Sequence, residues 1–152
     1  MLKFVIVEDS DIIADGLSTI LRQINSGFRV LRMEPGGQLL SYLMAEKPDV
    51  LIVSPLLPEV GSPQKLRAHA DLPDLVCVAF VDNLREQKHT GGFDETVSLF
   101  DPEEQIREKI EHLANRKGEE EESEKMLSQR EKEIVALVVR GYTNKQIADE
   151  LC

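Results

Sequence analysis

Residues 3–24, KFVIVEDSDIIADGLSTILRQI, hold the pattern that decides the fold. Lys3–Val7 is a short apolar run of β type, and the acidic pair Glu8-Asp9 stops it. Ser10 then offers a side-chain oxygen to cap a helix. Behind it Ile12, Ile13, Leu17, Ile20, Leu21 and Ile24 recur at helical spacing, until Ser26-Gly27 breaks the pattern. The stretch is one strand followed by one helix.

Working outward, the same unit recurs. Further strands are expected over 28–33, 50–53, 75–80 and 95–99, and helices over 38–46, 64–70 and 83–89. A last helix starts at Asp101-Pro102, proline suiting a first helical position, with Ile106, Ile110 and Leu113 on its apolar face. The run at 75–80 is uniformly apolar, as a strand covered on both faces should be. The stretch around 83–99 is polar and weakly periodic, so it is expected to be the most mobile part. Strand–helix alternation builds a parallel sheet with helices on both faces. Five such units in the first 115 or so residues suit an α/β, flavodoxin-like doubly wound domain with strand order 2-1-3-4-5. A ligand site in such a sheet lies at the carboxyl ends of the strands, here Glu8-Asp9, Ser54, Ala79 and Ser98.

The expected organisation is a domain over 1–115, a linker over 116–126 and an all-α segment over 127–152. The linker contains Glu119–Glu122, four like charges that repel one another and have nothing to bury. Ser128-Gln129-Arg130-Glu131 is a capping box, and Ile134, Val135, Leu137 and Val138 supply the apolar face of the helix behind it. After Gly141, a second box, Thr143-Asn144-Lys145-Gln146, opens a helix with Ile147, Ala148 and Leu151. Helix, glycine-containing turn and helix is the start of a helix-turn-helix.

Composition sets the broad class. With 41% hydrophobic and 30% charged residues, the chain is expected to be a globular protein rather than a disordered one. Its net charge of -10 argues against nucleic-acid binding by the chain as a whole. From Leu127 onward, however, four cations balance four anions, so the acidic excess belongs to the first 126 residues. No stretch approaches the roughly 18 apolar residues of a membrane helix, and the expected compartment is the cytoplasm. Cys77 and Cys152 form no metal or disulfide pattern, and Cys77, inside an apolar run, is expected in the core. His69, His89 and His112 do not cluster. No cofactor is implied.

VIVEDSDII, KPDVLIVSPLLPEVGS and SLFDPEEQI together resemble the response regulator receiver family over residues 1 to about 115. In that family an acidic pair binds Mg²⁺, an Asp ending strand three is phosphorylated, a Ser or Thr ends strand four, and a Lys follows strand five. The resemblance puts the acidic pair on Glu8 and Asp9, the acceptor on Ser54, the hydroxyl on Ala79, the lysine on Ser98 and the aromatic switch position on Glu95. Pro58 falls where the family often has proline, and Leu99 where it usually has another. Of the residues that carry phosphoryl chemistry, only the acidic pair matches. No Asp lies between Asp49 and Asp71, no Ser or Thr between Leu72 and His89, and no Lys between Lys88 and Lys109. An ionised Asp attacks phosphorus without a base, whereas a serine hydroxyl needs one. The missing Lys removes a charge that would offset the phosphoryl group. The expectation is therefore a receiver that does not use the usual phosphoryl chemistry, with no bound metal or at most a residual site at Glu8 and Asp9.

LSQREKEIVALVVRGYTNKQIADELC resembles the start of the LuxR-type helix-turn-helix. That implies a non-enzymatic, DNA-binding transcription regulator, with Asn144 and Lys145 placed to contact the DNA backbone in the full-length protein. The family's recognition helix, which enters the major groove, would follow Cys152. This chain alone is expected to bind DNA weakly or not at all, and to be a piece of a longer regulator. Expected partners are a second copy, as a homodimer, and another regulatory protein, with no membrane. The alternatives are an interaction module that forms mixed dimers and an unconventional phosphoacceptor at Ser54.

Overall fold

The strand–helix rhythm is realised in the computed structural model, which describes residues 1–119. The order is β1 (Lys3–Val7), α1 (Asp11–Ile24), β2 (Arg29–Met33), α2 (Leu39–Glu46), β3 (Val50–Val53), α3 (Pro63–Ala70), β4 (Val76–Val81), a 3₁₀ turn (Glu86–His89) and β5 (Glu95–Ser98). A last helix, α4, occupies 103–119. The five strands are all parallel in the order β2-β1-β3-β4-β5. This is the doubly wound order expected from the alternation.

Met1–Glu111 forms one compact unit. The second unit, His112–Cys152, is described only over 112–119, which is helical. Helix thus continues through the first residues of the expected linker. The remainder of that linker and the expected helix-turn-helix, with Asn144 and Lys145, lie outside the described residues.

Strand alternation divides the core into two layers. Val5, Val7, Leu51, Val53 and Cys77 pack with Leu39 and Leu43 of α2 and Leu66 and Ala70 of α3. On the other face Ile52 and Val97 meet Leu17, Ile20 and Leu21 of α1 and Ile106 and Ile110 of α4. Leu43, Val50 and Leu51 are completely buried. Each such side chain contributes about 1.5–3 kcal/mol relative to exposure.

Local chemistry fixes the ends of the helices. The Ser10 hydroxyl accepts from the Ile13 N–H and the Ser62 hydroxyl from the Lys65 N–H, with Pro63 opening α3. Lys47 and Asp71 close α2 and α3 in the left-handed region, at φ 48° and 56°.

Three expectations need correcting. Ile12, assigned to the buried face of α1, is 86% exposed, because the core-facing row of that helix runs through Ala14, Leu17 and Leu21. Strand four starts and ends one residue later than its apolar run suggested. No α-helix forms over 83–89. Arg85, Gln87, Lys88 and His89 are all exposed and supply no apolar stripe to dock a helix, so a 3₁₀ turn remains.

Candidate functional site

The parallel sheet brings the ends of β1, β3, β4 and β5 to one edge. Ser54 directly follows β3. Its hydroxyl donates to Glu86 Oε2 at 3.3 Å and accepts from the Leu56 N–H at 3.3 Å. Glu86 lies 32 residues further along the chain, in the β4–β5 connection. Its other carboxylate oxygen accepts from the Asn83 side-chain amide at 3.1 Å, and its own N–H donates to Asn83 Oδ1 at 3.1 Å. The same amide donates to Asp82. Burial pushes the Glu86 carboxyl above its usual range, and the neighbouring Asp82 pushes it further, while the Ser54 hydroxyl pulls the other way.

At the end of β1, Glu8 Oε1 accepts from the Ser10 N–H at 3.0 Å, so this carboxylate turns towards the start of α1. Burial raises its pKa, the Ser10 N–H lowers it, and Asp9 and Asp82 raise it again. Asp9 is exposed. Since Glu8 feels Asp82, the negative charge extends across the sheet edge from β1 to β4.

The other positions are occupied by ordinary structural duties. Ala79 is fully buried inside β4, opposite Val53, two residues before that strand ends. Ser98 is 8% exposed, and its hydroxyl accepts from the Phe100 N–H. Its own N–H donates to Asp101. Glu95 opens β5, and its side chain accepts from the Thr96 N–H. Lys109, the next lysine after Lys88, donates to the Thr96 carbonyl at 2.6 Å and pairs with Asp101 at 3.2 Å. It ties α4 to the β5 turn.

Among the described residues, no three His, Cys, Asp or Glu side chains gather to hold a metal ion. The Mg²⁺ site of the family needs carboxylate oxygens converging on one point. Here an alcohol, Ser54, follows β3 and Glu8 Oε1 is turned to the Ser10 N–H, so the described carboxylates do not converge as that ion requires.

Sequence reading missed Glu86, Asn83 and Asp82. Asn83-Leu84-Arg85-Glu86 has the spacing of a capping box, which could have flagged the turn. Nothing local tells that the Glu86 side chain reaches Ser54.

Comparison with known proteins follows from this geometry. A signal receiver domain of a DNA-binding response regulator from Colwellia psychrerythraea superposes with a TM-score of 0.63 at 14% identity, covering 76% of this chain and 99% of that one. A response regulator receiver modulated diguanylate cyclase from Pelobacter carbinolicus gives 0.61 at 16% identity, over 80% and 99%. Residues 125–152 match the bacterial regulatory proteins, luxR family. The chain joins a receiver fold to a luxR-type segment. In sequence it is similar to the response regulator protein VraR of Staphylococcus saprophyticus, 24% identical over 167 positions, 97% of this chain and 80% of that protein. Among the described residues, no helix is long and apolar enough to cross a membrane.

Proposed function

We propose that this chain belongs to a two-component-type transcription regulator whose receiver domain signals without aspartyl phosphate. The observation that carries this reading is the Ser54–Glu86 hydrogen bond at 3.3 Å. At the acceptor position a hydroxyl is engaged by a carboxylate, and Asp82 lies beside that carboxylate. A phosphoryl donor brings negative charge, and such a field repels it. The first lysine after β5, Lys109, is held by Thr96 and Asp101.

In this reading the domain is a regulator rather than an enzyme, and it works in the cytoplasm. It acts as a homodimer or with a second regulatory protein, and DNA is contacted through the luxR-type segment of the full-length protein, with Asn144 and Lys145 on the backbone. Control comes through protein contacts at the receiver.

One observation favours Ser54 as an unconventional acceptor: Glu86 already accepts from its hydroxyl and could take its proton during attack. The surrounding acidic charge weighs against it. Incubation with acetyl phosphate and Mg²⁺, followed by intact mass, separates the two readings. The expected result is no adduct. An acid-stable gain of one phosphoryl group on Ser54 would establish the unconventional acceptor, and an acid-labile adduct would overturn both readings.

A further inference from the structure

From Asp82 to Thr96 the chain crosses from the end of β4 almost to the end of β5, and Glu86 is the one buried side chain in that interval. It is 7% exposed, whereas Asp82, Asn83, Leu84, Arg85, Gln87, Lys88 and His89 are all exposed. Leu84, the apolar residue nearest to it, is 75% exposed. Near its far end Phe93 packs, partly buried, against the core, whereas the group that anchors the start of the connection is a carboxylate.

Burying a carboxylate is unfavourable unless hydrogen bonds replace its water. A glutamate in a short surface turn could readily point outward. It points inward, where the Ser54 hydroxyl, the Asn83 amide and the Asp82 side chain meet it. The Asn83 contacts are local and would persist if the whole turn moved. The Ser54 contact is the long-range one, linking the connection to the end of β3.

We propose that Glu86 is a built-in latch, which grips the Ser54 hydroxyl and fixes the β4–β5 connection against the end of β3. This rests on the reading that the site takes no phosphoryl group. A contact that would otherwise come and go with phosphorylation is replaced by one within the chain. The carboxylate absent from β3 is supplied from the far side of the cleft, and the connection is held in a single position. Release would come from a partner that competes for Glu86 or Ser54.

Hydrogen–deuterium exchange of the full chain, read by mass spectrometry on peptides spanning 82–94, tests the latch in the wild type, Ser54→Ala, Glu86→Ala and Glu86→Gln. Amides in that segment should exchange at least tenfold faster in Ser54→Ala and Glu86→Ala, while β1 and β3 peptides stay unchanged. Glu86→Gln, which can still donate to the Ser54 oxygen and accept from Asn83, should recover most of the protection. Equal exchange in all four proteins would overturn the latch, as would loosening spread evenly over the sheet, or Glu86→Gln as fast as Glu86→Ala. Ser54→Ala removes a single oxygen, so the test survives if Glu86→Ala folds poorly. The acetyl phosphate experiment answers separately. An adduct on the wild type ends the functional reading, whereas unchanged exchange with no adduct ends only the latch.

Discussion

A carboxylate placed at position 54 is expected to damage this protein. In Ser54→Asp, a carboxylate oxygen would stand near the present hydroxyl, 3.3 Å from Glu86 Oε2. Two unit charges at that separation repel by about 5 kcal/mol at an effective dielectric of about 20. Against this, the hydrogen bonds that hold Glu86 inward contribute about 1 kcal/mol each. Repulsion wins, so the turn swings out; the Asn83 contacts travel with it, and the net loss is limited to the Ser54 bond and the burial the turn gives up, about 1–2 kcal/mol. Urea unfolding at pH 7.5, followed by circular dichroism, measures it. Ser54→Asp should lose about that much stability. The double variant Ser54→Asp/Glu86→Gln should regain most of it, because the glutamine amide can donate to the new carboxylate. The double-mutant cycle then shows a coupling of about 1 kcal/mol. A Ser54→Asp protein as stable as the wild type, or one that Glu86→Gln does not rescue, would refute the reasoning.

Two further outcomes follow from the same residues. Glu8 and Glu86 have folded pKa values raised above the ordinary 4.5, so the folded chain binds more protons than the unfolded one above that pH. Their contribution is complete below about pH 4.5 and is lost as pH rises through the raised values; the wild type should therefore lose more stability between pH 4.5 and 8 than Glu86→Gln does, and parallel urea midpoints for the two proteins would contradict this. Cys77 is fully buried, and burial pushes its thiol up to about 11; iodoacetamide at pH 8 should leave it unmodified until denaturant is added, and rapid labelling of the native protein at Cys77 itself, located by peptide mapping to separate it from Cys152, would contradict its placement.

Much of the fold was legible because hydrophobic burial is periodic. KFVIV, VLIV and the run around VCVAF are too short and too apolar for surface helices, and their spacing by amphipathic segments leaves few topologies open. Reading failed where burial is polar. Ile12 fits the helical period but sits one row outside the core-facing stripe, a distinction that depends on the tilt of α1. The segment over 83–89 carries helical residues without an apolar face, and tertiary contacts decided its form.

The site was legible in its absences and illegible in its substitutions. That an alcohol follows β3 and that serine rather than lysine closes β5 can be read directly from Ser54 and Ser98. That Glu86 fills the gap depends on two residues 32 positions apart meeting through a hydrogen bond. A single sequence carries no periodic signal for such a bond. The same holds for Lys109, whose partners Thr96 and Asp101 lie in a turn that only the folded chain assembles.

The position of Lys109 bears on how this domain could change over evolutionary time. Its ammonium closes the β5 turn by holding a carbonyl and a carboxylate together. Redirecting it towards the cleft would open that turn, so a new cation would have to arise elsewhere. Under the proposed function, taking up phosphate chemistry would therefore need several substitutions, the first of them harmful alone, and such an order of steps works like a ratchet.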